Sequence, residues 1–253
     1  MQKTSEIIIN IPHASTVIPK DERQYFVTKE LQREITVMTD HFTDDLFDVG
    51  EERLIFPVSR LVCDVERFRD DAKEIMSRKG MGAIYTSCHD HSRLRVMPEA
   101  HKEHLLKTYY DPYHKSFENM VQDRLDVFGH CLIIDGHSFP GIPLPYEIDQ
   151  SKERPDICIG TDDFHTPGEM VDMLRVFFRK QGYTVALNAP FAGAIVPARY
   201  YRNNSNVQSL MIEINRGLYI DHQVRKKPQY EKIKTDIAGA IRMLKEDFLA
   251  NRV

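Results

Sequence analysis

Five short apolar runs recur along the chain: EIIINI (6–11), RLIFPV (53–58), HCLIID (130–135), YTVAL (183–187) and SLMIEI (209–214). Near-continuous apolar stretches of this length predict strands covered on both faces. Between them the period changes. Residues 28–49 carry Leu31, Ile35, Met38, Phe42, Leu46 and Val49 at helical spacing. Residues 98–129 read as a long helix kinked near Pro112 and stopped by Gly129. A third helix begins after Thr166 as N-cap, with Pro167 at its first position and Glu169 completing a capping box, and ends at Gly182. PQYEKIKTDIAGAIRMLKEDFLAN closes the chain as an amphipathic helix. Strands alternating with helices predict an α/β layer fold with a mainly parallel sheet. The stretch 138–163, rich in proline, is the longest without a period, and a loop of that length in a compact domain is usually functional or disordered.

Composition narrows the class. At 253 residues, 42% hydrophobic and 28% charged, the chain reads as one soluble domain spanning 1–253. A net charge of −4 with both signs interspersed gives no basic field for nucleic acid or a membrane surface. The apolar run in MQKTSEIIIN is too short for a signal peptide, and no run could span a bilayer. The four cysteines (Cys63, Cys88, Cys131 and Cys158) are widely spaced without a CxxC pair, so they are expected to be reduced, mostly buried and cytoplasmic.

Ligands in open α/β sheets bind beyond the carboxyl ends of strands, so the residues just past each strand matter most. The first run leads into IPHAS with His13, the third into Asp135-Gly136-His137-Ser138, and the last carries Glu213 and Arg216. Two neutral imidazoles and a carboxylate form a common catalytic zinc shell, and a further glutamate nearby can take a proton from water. Asp135 either orients a histidine or points into the core. Gly136 is expected to let the backbone turn, and Ser138 reads as a turn or substrate contact, since GHS is not a nucleophile elbow. Arg60 and Arg67 in PVSRLVCDVERFRDD suit carboxylate recognition, and equally an internal ion pair with Asp64. Arg216 carries the same ambiguity. NAPFAGAIVP (188–197) reads either as a loop that brings backbone close to a ligand or as a simple turn. The pairs His101/His104 and His89/His91 read as surface or loop residues.

NIPHAS, SRLVCDVERF, GMGAIYT, DGHSF, DICIGT, NAPFAGA and MIEINRGLY, in this order from about residue 7 to 220, resemble the N-formylglutamate amidohydrolase family. The resemblance implies a three-layer α/β/α sandwich with a mixed, mainly parallel sheet, zinc-carboxypeptidase-like and of the phosphorylase/hydrolase type. It implies a metal-dependent hydrolase with one divalent metal, zinc by preference, that removes the formyl group of N-formyl-L-glutamate or a related N-acyl amino acid. Such an enzyme takes a small-molecule substrate and needs neither nucleic acid nor a membrane; whether it forms a homo-oligomer is left open. Carried onto this sequence, the family pattern makes His13 and His137 metal ligands, with Asp40 the third in preference to Asp44 or Asp45. Glu213 becomes the general base, and Arg60, Arg67 and Arg216 candidates to hold the substrate's carboxylates; Ser138, read from its own position, is counted with them as a substrate contact. In one continuous helix over 28–49, Asp40 would lie opposite the apolar stripe. A ligand there needs a break near Thr39 or a polar face lining the cleft.

Overall fold

A computed structural model describes residues 5–250. Six strands form one sheet in the order β2-β1-β3-β6-β4-β5: β1 (Ile7–Ile11), β2 (Glu52–Ile55), β3 (Cys131–Phe139), β4 (Ile157–Gly160), β5 (Val185–Leu187) and β6 (Val207–Asn215). Every pairing is parallel except β4 with β6, so the sheet is mixed. The helices are α1 (Leu31–Met38), α2 (Thr43–Leu46), α3 (Glu99–Leu105), α4 (Asp111–Phe128), α5 (Gly168–Lys180) and α6 (Tyr230–Ala250).

Strand alternation sorts the core into layers. Ile7, Ile9, Leu132, Ile134, Leu210 and Ile212 face one side, where they pack on α2, α5 and α6 through Phe47, Leu174, Phe178, Ile237 and Leu244. Ile8, Cys131, Ile133 and Val207 face the other side, against Phe117 and Val121 of α4. The architecture is therefore α/β/α. A separate apolar cluster unites α1, the segment 56–94 and α3. No helix among the described residues is long and apolar enough to cross a membrane, and the four cysteines are free and buried.

Several expectations need correction. The helix expected over 28–49 stops at Met38: Thr39 is extended, and Asp40 N donates to His13 O at 3.0 Å instead of continuing the ladder. The interruption expected near Pro112 does occur, as a π-helical turn over Leu106–Tyr110 between α3 and α4. Thr166 does not cap α5; its hydroxyl donates to Ser209 O at 2.6 Å and accepts from Asp162 N. The aperiodic stretch 138–163 contains β4 and the end of β3. The close backbone approach within 188–197 is to the protein itself, since a Cβ on Gly160 would collide with Gly193 O.

The largest correction concerns the third strand. It does not end at Asp135 but runs on to Phe139, paired along its length with β6. Gly136 is no turn residue. A Cβ there would meet Ile11 Cδ1 at 2.8 Å and the Phe47 ring at 2.9 Å, so glycine is needed for close packing on the α2 face. Continuing the strand puts Asp135 and His137 on the opposite face, two residues apart.

Candidate active site

The carboxyl ends of β1, β3 and β6 bring the polar residues together. Asn10 pairs in register with Asp135, and His137 with Glu213. His13 lies two residues past β1, and Asp40 enters from the break after α1. All of these are at least nine-tenths buried.

His13, Asp40 and His137 converge on one point. The two Nδ1 atoms are 3.3 Å apart, and Asp40 Oδ2 is 3.7 Å from His13 Nδ1 and 3.1 Å from His137 Nδ1. Ligands of a tetrahedral zinc ion, at bonds of about 2.0–2.1 Å, stand about 3.3 Å from one another. The outward nitrogens meet carboxylates: His13 Nε2 donates to Asp64 Oδ1 at 2.9 Å, and His137 Nε2 lies 3.0 Å from Asp135 Oδ1, off the line of a good hydrogen bond. A ring whose Nε2–H faces a carboxylate presents a lone pair at Nδ1. Three acceptors then face one another with no donor between them. That donor set fits a divalent cation.

The surrounding charges press the same way. Burial opposes ionisation of Asp40, but contacts from His13, His137 and Arg216 outweigh it and hold the carboxyl well below the usual carboxylate range. Burial likewise opposes the charge on Asp64, which Arg60 and His13 overcome. Burial disfavours a positive His137, yet Asp135 and Asp40 raise its pKa well above the ordinary value, so without a cation between the three groups the ring takes a second proton at Nδ1, in the place such a cation would occupy. At Glu213 the nearby His137 and Arg216 do not offset burial. Burial lifts it to about 8, and its Oε2 makes no hydrogen bond. Glu66 is also raised to about 8, by burial and then by Asp135, and accepts from Asn10 Nδ2 at 3.1 Å.

The expected substrate contacts separate into two kinds. Arg216 is occupied on all three nitrogens: Nε donates to Ser138 Oγ at 3.0 Å, Nη1 to Val37 O at 2.6 Å, and Nη2 to Asp40 Oδ1 at 2.6 Å. Ser138 N donates to Asp40 Oδ2 at 3.2 Å. Arg60 is taken up by Asp64 Oδ2 through Nε at 3.2 Å and Nη2 at 2.8 Å. Arg67 differs. Its Nε lies 3.8 Å from Asp64 without bonding it, and its side chain is 23% exposed. Of the three arginines, it alone makes no hydrogen bond with its guanidinium among the described residues, its one carboxylate neighbour being Asp64 at 3.8 Å.

Two site members carry little signal in the sequence. Asp64 reads there only as an arginine partner, yet it also holds His13 and accepts from Tyr85 Oη at 2.5 Å. Glu66, 3.8 Å from His137 Nε2, has no signal beyond its place two residues after Asp64. Asp44 and Asp45 do not reach the His13/Asp40/His137 group. Asp45 binds Lys226, Tyr230 and Lys234 instead. His89 is buried against Glu34, and His101 bonds Glu22.

Residues 5–220 match the family model described as N-formylglutamate amidohydrolase. The chain belongs to this family. A Pseudomonas aeruginosa protein named N-formylglutamate deformylase is 26% identical over 227 residues, covering 86% of this chain and 83% of that one. The crystal structure of an N-formylglutamate amidohydrolase from Ralstonia eutropha JMP134 superposes with a TM-score of 0.85 at 23% identity, covering 98% of this chain and 95% of the other. An Agrobacterium tumefaciens structure gives 0.71 at 17% identity, covering 97% and 91%. The match to the N-formylglutamate amidohydrolase family takes in every converging residue described above.

Proposed function

We propose that this protein is a metal-dependent hydrolase that cleaves the formyl amide of N-formyl-L-glutamate, or of a closely related N-acyl amino acid. The observation that carries the reading is the convergence of His13 Nδ1, His137 Nδ1 and Asp40 Oδ2 beside Glu213, in a chain of the N-formylglutamate amidohydrolase family. His13, Asp40 and His137 would hold one divalent ion, with zinc favoured by two imidazoles and one carboxylate. Such an ion, when bound, acidifies a water molecule and polarises the formyl carbonyl.

The chain's own groups do the rest. Glu213, set beside His137 by strand register, takes the proton of the attacking water and delivers it to the departing amino nitrogen. Burial raises its proton affinity towards neutrality, which suits a group that must both accept and release a proton. Arg67 receives a substrate carboxylate through its uncommitted guanidinium. Arg216 and Ser138 serve Asp40: they fix the carboxylate that faces the two histidines. Arg60 keeps Asp64 ionised, and Asp64 orients His13.

The test measures bound metal per chain and formate release from N-formyl-glutamate on the same samples, for wild type and His137→Ala. The expected result is about one metal per chain in wild type, lost together with formate release in the variant. Metal without formate release would move the substrate to another N-acyl amino acid. Formate release that survives both His137→Ala and a chelator would overturn the mechanism.

A further inference from the structure

Outside the site, a cleft of about 650 Å³ lies between the segment 71–87 and the start of α3. Its wall is the stretch Gly80–Ser87. Met81, Ala83 and Tyr85 of this stretch are buried towards the core, while Gly82, Ile84 and Thr86 line the cleft. The same strip of backbone thus separates the cleft from Tyr85 and its partner Asp64.

The charges around the cleft do not cancel. Asp71 and Glu99 also line it: Lys102 binds Asp71 through Oδ2 while Oδ1 bonds nothing, and Glu99, its side chain 89% exposed, stands 4.0 Å from Lys102, so one lysine faces both carboxylates and Arg93 and Arg95 leave the lining with an excess of positive charge. Arg93 is exposed and has no ion pair among the described residues. Arg95 is 2% exposed, and no carboxylate of the described residues lies within 4.0 Å of it. Its guanidinium bonds backbone carbonyls, those of Tyr85, Leu61 (2.6 Å) and Val62 (3.0 Å), and lies over the Phe26 ring at 5.3 Å, while Nη1 bonds nothing. Burial lowers its pKa to about 10. A buried cation without a counter-ion is costly, and its field is poorly screened in a low-dielectric wall. Beside these cations Val96, 53% exposed, and the half-buried Met97 offer an apolar surface, while Ile84 lines the cleft but is itself buried.

We propose that this cleft is a second ligand site, which binds a small organic anion with its carboxylate or phosphate head towards Arg93 and Arg95 and its apolar part on Val96 and Met97. A head group there neutralises Arg95, and Arg93 at the rim supplies a direct charge-assisted contact. The site is separate from the His13/Asp40/His137 group and does not depend on the activity proposed for that group.

Calorimetric titration with hexanoate and with hexyl phosphate, each against wild type, Arg93→Ala, Arg95→Met and His137→Ala, tests the assignment. Wild type and His137→Ala are expected to bind at least one probe with a dissociation constant near or below about 1 mM. The stronger probe identifies the head group. Arg93→Ala is expected to bind about tenfold more weakly, the scale of one charge-assisted contact, and to release formate from saturating N-formyl-glutamate at the wild-type rate. Arg93 is exposed, so its variant keeps the test informative even if Arg95→Met does not fold. Equal binding by wild type and Arg93→Ala, binding lost in His137→Ala, or no binding of either probe to wild type would each overturn the proposal.

Discussion

His13 and His137 face each other through their Nδ1 atoms across 3.3 Å, and each turns its Nε2 towards a buried aspartate. Two rings so oriented repel unless something positive lies between them. Asp64 is the stronger of the two orienting partners, with a 2.9 Å bond to His13. In Asp64→Asn, the amide can donate to His13 Nε2 and push the ring proton to Nδ1, where it blocks the lone pair. Metal affinity should fall by about 10–100-fold, as for other second-layer partners of metal-bound histidine. Competition with a chelating dye measures it. Unchanged affinity would mean that Asp64 only anchors the arginines.

Glu213 should separate metal binding from turnover. Glu213→Gln keeps the shape of the side chain and is not among the converging ligand atoms, so metal content should match wild type. Turnover should fall by about 10²–10⁴-fold, the usual contribution of a positioned proton acceptor. Metal analysis beside initial rates decides the matter, and near-normal turnover would remove Glu213 as the base.

Two arginines that look alike in the sequence should behave differently. Arg67→Met is expected to raise KM by about tenfold or more, with metal content intact, because its guanidinium is uncommitted. Arg216→Met removes the 2.6 Å bond to Asp40 and should lower metal occupancy. Metal content and KM measured on both variants separate the roles, and the assignment fails if the two variants share one phenotype.

Legibility tracks the hydrophobic signal. The runs that form β1, β3 and β6 are plain because their residues are buried on both faces. The extension of β3 is not, because the signal fades where Asp135 and His137 replace apolar residues on one face and Gly136 thins the other. The break after Met38 carries neither glycine nor proline. It comes from a tertiary bond, Asp40 N to His13 O, which no local pattern encodes. The role of Asp64 is hidden for a similar reason: its bond to His13 spans 51 residues, whereas its bond to Arg60 spans four.

Gly136→Ala should test the packing account of that glycine. The added methyl meets Ile11 and Phe47 on the α2 face below 3.0 Å. Overpacking of this kind costs about 1–3 kcal/mol, measured as a lower denaturation midpoint with an unchanged slope. Wild-type stability would show that Phe47 yields freely.

Asp45 ties α2 to α6 through Lys234 and Tyr230 at 2.5 and 2.7 Å, and to Lys226, just before that helix, at 2.9 Å. The Lys234 contact leads in holding its carboxyl below the usual range. A depressed folded pKa gives stability that is full above the unfolded value near about 4 and is lost as pH falls through the folded one. Its side chain is 37% exposed, so solvent screening limits the effect. Asp45→Asn should cost about 1 kcal/mol at pH 7, with the gap from wild type closing below about pH 4. Denaturant melts across that range would show it, and a gap that widens on acidification would contradict the assignment.

The reversal of β4 against β6 has a consequence for how the substrate range can change. Because β4 runs antiparallel, the loop from Pro140 to Asp156 leaves β3 and enters β4 at the same edge of the sheet, beside His137 and Glu213. Both of its ends are fixed there, by Asn215 N to Asp156 O at one and by the pairing of β3 with β6 at the other. Residues added to or removed from its middle would reshape what enters the site and leave the reacting groups in place, since loop closure depends only weakly on length. The reacting groups and this loop thus lie on different parts of the chain, so the length of the loop can change without moving them.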